Sequence, residues 1–186
     1  MLDQGRYTWR HNCILNHITK TIRDLNSGAQ VISDLPGQSL SGLTIPPEVL
    51  ITSDRPDLAI YRPLDKRIEL AELTVPFETN LEKDHEYKCE KYANLINDIN
   101  QNNYISHLTC IEIGCRGYVS PDNKMRLRSL LRSTNAKPSV KTIKNLILSV
   151  SKLNNRLSVF ILPIISFTQK ELPMKKDTLS SKKFLE

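Results

Sequence analysis

No two cysteines of this chain stand at the two-residue spacing of a zinc-binding or redox pair. The four present (Cys13, Cys89, Cys110 and Cys115) are scattered, and Cys110 and Cys115 lack partner histidines at zinc-finger spacing. We read them as reduced, buried small hydrophobes, which excludes a disulfide-stapled secreted scaffold. There is no Gly-rich phosphate loop and no Gly-x-Ser-x-Gly elbow, so kinase and serine-hydrolase chemistry have no support. No signal-peptide pattern opens the chain, and we expect an intracellular protein. The longest apolar run, residues 157–167, is too short to span a bilayer and contains Pro163, so no membrane association is expected. Acidic residues are almost missing from one region. Between Arg116 and Arg156 there are ten Lys or Arg and a single acid, Asp122, whereas residues 65–91 hold eight acids and five bases. That asymmetry fits a protein that grips a polyanion with one region and a metal with the other.

What is present fits one domain of ordinary composition. The 186 residues are 39% hydrophobic and 25% charged, enough for a core, and the net charge of +6 favours an anionic partner. Ile14, Ile18, Ile22 and Leu25 recur at helical spacing, which predicts a helix over 8–25 ended by Gly28. A short strand follows over 29–35, then a loop over 36–47 rich in Gly, Ser and Pro. Residues 58–61 and 67–75 read as a hairpin that turns at 62–65. A long helix is predicted over 80–102, with Leu81, Lys88, Tyr92, Leu95 and Ile99 in one stripe. A strand over 107–114 should run parallel to an earlier one, because a helix joins them. Helices over 122–131 and from a Ser139 cap to about Arg156 complete the pattern, and residues 168–186 read as disordered.

Asp57 begins the first strand of the hairpin, and Glu72 comes late in the second. Late positions of one antiparallel strand face early positions of the other, so the two carboxylates can converge. Paired carboxylates suit Mg²⁺, which activates water and neutralises phosphate charge. Lys88 lies on the apolar face of the next helix, where an ammonium could hold an attacking oxygen or stabilise charge on the phosphate. Arg55 is a candidate phosphate contact. Thr74, two residues past Glu72, offers a hydroxyl but no charge. His85 lies near the Lys88 stripe and reads as a surface histidine or a group supporting the site. A DNA-binding module without catalysis, gripping through the basic helices over 122–156, is the alternative expectation. A protein-interaction domain is a third, supported only by the apolar run.

Several segments, taken in order, carry a resemblance. They are Gly5-Arg6-Tyr7-Thr8-Trp9-Arg10-His11-Asn12, Asp34-Leu35-Pro36-Gly37, Thr52-Ser53-Asp54-Arg55-Pro56-Asp57-Leu58, Glu72-Leu73-Thr74-Val75-Pro76-Phe77-Glu78, Lys88-Cys89-Glu90-Lys91-Tyr92 and Glu112-Ile113-Gly114-Cys115-Arg116-Gly117-Tyr118. As a set they resemble the C-terminal, restriction-enzyme-like endonuclease region, of PD-(D/E)XK type, of site-specific non-LTR retrotransposon polyproteins. The resemblance spans residues 5–155 and leaves 156–186 as an extension. It implies an α/β fold with a restriction-endonuclease-like mixed central sheet flanked by helices. It implies Mg²⁺-dependent nicking of DNA to prime reverse transcription, in the nucleus, beside element RNA and an upstream reverse transcriptase domain. It implies Asp57 and Glu72 as metal ligands. The superfamily lysine would stand at Thr74; in this branch it moves to the following helix, which selects Lys88, with Lys91 and Tyr92 in support. Arg10 and His11 fall in an arginine–histidine motif that touches DNA or braces the site. Arg116, Lys124, Arg126 and Arg128 are the further DNA-binding candidates. A domesticated or inactive remnant is the other form such a chain could take.

Overall fold

The computed structural model describes residues 2–25, 28–40, 42–134 and 136–168. The predicted tail over 168–186 therefore lies, apart from its first residue, outside the described residues. The chain runs α1 (Leu2–Asp24), β1 (Gln30–Ser33), β2 (Leu58–Arg62), β3 (Arg67–Thr74), a 3-10 turn (Glu78–Asn80), α2 (Leu81–Lys91), α3 (Ala93–Gln101), β4 (Ile105–Glu112), α4 (Pro121–Arg132) and α5 (Val140–Thr168). It is a mixed α/β protein with a four-stranded sheet in the order β1-β2-β3-β4. The first two pairings are antiparallel and the last is parallel, as the connecting helices require.

Side chains alternate across a strand, so each strand feeds two cores. Leu58, Ile60, Ala71, Leu73 and Ile111 face α1, α4 and α5, where Ile14, Ile18, Leu127 and Ile143 close the layer. Ala59, Tyr61, Ile68 and Leu70 face the other way, against Tyr92, Leu95 and Ile99. Helices thus cover both faces of the sheet. Glu72 shares the parity of Ile68 and Leu70 and is carried to the α2–α3 side. Leu58 pairs with Ala71, so one further step of the register sets Asp57 opposite Glu72.

Four expectations need correction. The helix over 80–102 is two helices, broken at Tyr92 (φ −102°, ψ 6°). There the ring is fully buried and its hydroxyl donates to the Arg55 carbonyl at 3.1 Å; seating that side chain outweighs continuous helical periodicity. The first helix begins at Leu2 rather than at residue 8. The last continues through Pro163 to Thr168 instead of ending near Arg156. The cysteines are not uniformly buried: Cys110 and Cys115 are, Cys13 is half-buried, and Cys89 is exposed on α2.

The turn after β4 approaches α5 closely. Gly117 has φ +86°, and a Cβ there would lie 2.5 Å from the Ser151 carbonyl oxygen, so only glycine fits. Ser120 caps α4 by accepting from the Asn123 N–H at 3.1 Å, and Asn123 Oδ1 in turn accepts from the Glu112 N–H at 3.0 Å. Ser120→Ala should lower stability by about 1 kcal/mol, read as a shift of the urea midpoint at constant slope.

Candidate functional site

The hairpin register brings the two carboxylates together at the mouth of the β2–β3 pair. The Asp57 N–H donates to Glu72 Oε2 at 3.2 Å, and the Leu73 N–H donates to Asp57 Oδ2 at 2.7 Å. Each acid is thus held by the other strand. Glu72 is 4% exposed, and from α2 the Lys88 Nζ donates to its Oε1 at 2.5 Å. Asp57, Glu72 and Lys88 form one cluster.

α1 supplies a second cation. His11 Nε2 lies 3.1 Å from both Asp57 Oδ2 and the Leu73 carbonyl oxygen, while Nδ1 lies 3.1 Å from Asn12 Oδ1. All three neighbours are acceptors, so the ring needs a proton on each nitrogen. Burial disfavours that charged form, yet the Asp57 carboxylate, with Asn12 and the Leu73 carbonyl, outweighs it and raises the His11 pKa to about 9. Between the acid and the lysine, opposing forces act. Burial and the Asp57 charge push the Glu72 pKa up against the pull of Lys88 and Lys91. Burial would lower the Lys88 pKa, but Glu72 and Asp57 raise it. Lys88 therefore stays protonated, and Glu72 is the member of the pair brought nearer to neutrality.

A cleft of about 460 Å³ opens onto Asp57 and is lined by Thr8, His11, Asn12, Asp34, Ser39 and Arg55. Leu35 and Pro36 complete its wall, and the Arg55 guanidinium is ion-paired with Asp34. The Arg55 backbone carbonyl receives the Tyr92 hydroxyl, and Tyr92 in turn receives Lys91 Nζ at 2.8 Å. Lys91, exposed, also sits 4.3 Å above the Tyr92 ring. Tyr92 thus buttresses the segment that carries Asp57. The buried Thr74 hydroxyl has no hydrogen-bond partner among the described residues.

The donors suit a small hard cation. Two carboxylates and the Leu73 carbonyl offer oxygen only, and the like charge of Asp57 that raises Glu72 is a repulsion that a divalent ion would relieve.

The expected DNA-binding residues do not converge. Arg10 is 1% exposed, with Nη1 donating to the Cys115 carbonyl at 3.4 Å and the guanidinium over the Tyr7 ring, so it braces the turn after β4 rather than presenting to a surface ligand. Arg126 is half-buried and bonds Glu112 Oε2 at 2.7 Å, an acid that needs a partner once it is buried. Arg116 is exposed, and its backbone N–H holds Glu78. Lys124 and Arg128 are exposed and line a groove of about 480 Å³ between α4 and α5, together with Arg132 and Lys144.

Reading the sequence missed the bond of His11 to Asp57, which spans 46 positions, and the Leu73 carbonyl, which has no side-chain signature. It also left His85 undecided; its Nδ1 lies 3.0 Å from Glu112 Oε1. No family model matches the chain, and no curated protein matches it.

In metal-free protein the His11–Asp57 pair has a defined pH signature. The pKa of His11 is raised by folding, so its contribution to stability is fully present below the unfolded value of 6.5 and is lost as the pH rises through about 9. With chelator present, His11→Gln should lower the melting temperature most below about pH 6.5, and the gap to the native chain should close as the pH rises through about 9. A gap independent of pH would mean that His11 is neutral.

Proposed function

We propose that this chain is a Mg²⁺-dependent DNA endonuclease domain of the restriction-enzyme-like kind, nicking one strand to prime reverse transcription in a non-LTR retrotransposon. The observation that carries the reading is the meeting of Asp57, Glu72 and Lys88 within hydrogen-bond distance at the end of one hairpin. The topology supports it too: an antiparallel hairpin bears both acids, and a helical crossover then adds a parallel strand beside the second.

Asp57 and Glu72 would hold Mg²⁺, with the Leu73 carbonyl as a further oxygen. The ion supplies water activation and neutralises phosphate charge. Lys88 keeps its proton on Nζ beside Glu72 and sets a fixed positive charge against the charge that builds on the phosphate. His11 orients Asp57 through Oδ2. Lys91 gives a cation at the rim, and Arg55 becomes a phosphate ligand when it exchanges Asp34 for substrate. The groove bordered by Lys124, Arg128, Arg132 and Lys144 supplies backbone contacts away from the reaction.

Supercoiled plasmid incubated with the protein and Mg²⁺ should relax to open circles, and a chelator should stop the reaction. Retained DNA binding with no nicking at any Mg²⁺ concentration would replace this reading with that of a DNA-binding remnant gripping through the exposed Lys124 and Arg128. In that case log affinity should fall with log salt at a slope of about −0.9 per phosphate contact.

A further inference from the structure

On the far side of Glu72 from Asp57, β4 and α2 bring three soft donors together. We propose that His85, Cys89 and Cys110 form a binding site for a thiophilic divalent ion of the zinc class, separate from the carboxylate pair. His85 and Cys89 stand four residues apart on α2 and share a face. Cys110 pairs with Glu72 in the β3–β4 register and points to the same side of the sheet.

The spacing fits tetrahedral coordination. Cys89 Sγ lies 3.5 Å from His85 Nε2 and 3.6 Å from Cys110 Sγ, and the three donor atoms all lie within 4.8 Å of one another. Bond lengths of about 2.3 Å to sulfur and about 2.0 Å to nitrogen imply tetrahedral edges of about 3.8 Å between sulfurs and about 3.5 Å between sulfur and nitrogen. A disulfide would require the two sulfurs to close to about 2.05 Å and would leave His85 without a purpose. Behind the ring, Glu112 Oε1 lies 3.0 Å from His85 Nδ1. A carboxylate on the remote nitrogen selects the tautomer whose Nε2 lone pair is free to bind a metal.

One group stands in the way. Arg126 Nη2 is 3.1 Å from His85 Nε2, so the guanidinium must turn aside while Nη1 keeps its bonds to Glu112 Oε2 and Asn123 Oδ1. A cleft of about 360 Å³ beside His85, Glu112 and Arg126 leads to solvent. Binding converts two thiols to thiolates, releases their two protons to solvent and leaves the fourth tetrahedral position open. The ion would tie α2 to β4.

The full chain, reduced with a phosphine and free of chelator, is titrated with Co²⁺. One equivalent should produce the visible bands of tetrahedral, thiolate-bound cobalt, and Zn²⁺ should bleach them. Cys89→Ser and His85→Ala should each weaken binding by about 10-fold or more, and Cys13→Ser should leave it unchanged. In the native chain Zn²⁺ should slow alkylation of Cys89 but not of Cys13, a readout that does not depend on a variant folding. Absence of thiolate bands, a Co²⁺ affinity left unchanged by Cys89→Ser, or alkylation of Cys89 indifferent to Zn²⁺ would overturn the proposal. None of these readouts involves nicking, so failure here is distinct from failure of the nuclease reading.

Discussion

Asp57→Asn should cut plasmid nicking by about a thousandfold, because several kcal/mol of metal-borne charge stabilisation is lost and each decade of rate corresponds to about 1.4 kcal/mol. Asparagine is the sharper substitution. Its remaining oxygen can still accept the Leu73 N–H that Asp57 Oδ2 now receives at 2.7 Å, so the strand mouth keeps its shape. The negative charge is what disappears, and with it both the proposed metal ligand and the charged partner of His11. Circular dichroism close to that of the native chain and a melting temperature lowered no further than by His11→Gln, combined with lost nicking, would locate the defect in chemistry. Undiminished nicking would remove Asp57 from the mechanism and take the metal site with it.

The second large effect is expected for Lys88→Met. Methionine fills the volume but leaves Glu72, 4% exposed, without its ammonium partner, held by the neutral donors of the Asp57 N–H and the Tyr92 hydroxyl. Breaking a fully buried pair costs about 3–5 kcal/mol; because the Lys88 side chain is 21% exposed, we expect about 2 kcal/mol. The loss should depend on pH. Burial and Asp57 already raise the Glu72 pKa, and without the ammonium it rises further. An acid raised on folding favours the folded state below its unfolded pKa and loses that favour as the pH climbs through the folded value. The deficit of Lys88→Met should therefore be small in acid and grow towards neutral pH, as followed by urea unfolding across the range. Adding Glu72→Gln should restore most of the stability and none of the nicking. A double variant no more stable than Lys88→Met would show that the lysine acts through packing instead of charge.

The parts of this molecule that could be read from the chain are those governed by short-range rules. Two apolar segments, 58–61 and 67–75, with a Pro-containing turn at 62–65 between them exposed the hairpin, and that short turn limited the register enough to bring Asp57 towards Glu72. The stripe through Lys88 and Tyr92 placed that lysine on the sheet-facing side of its helix, and the structure brings it to Glu72. The break at Tyr92 was hidden, because periodicity continues across it and only the buried seat of the ring and its bond to Arg55 interrupt the backbone. The basic residues were the least legible. Arg10 and Arg126 look like surface charges in a list of residues, yet one is sealed beneath Tyr7 and Cys115 and the other neutralises Glu112.

The sequence by itself determined the strands, the crossover that makes the last pairing parallel, and the opposition of two acids across a hairpin, since each follows from side-chain period and chain length. Only the tertiary structure decided which charges meet: His11 reaches Asp57 across 46 positions, and Cys110 arrives beside His85 and Cys89 from another strand. The reason is physical. Local periodicity sets the face on which a side chain leaves its own element, whereas a long-range contact depends on how separate elements pack, and that is settled jointly by all the surfaces they bury.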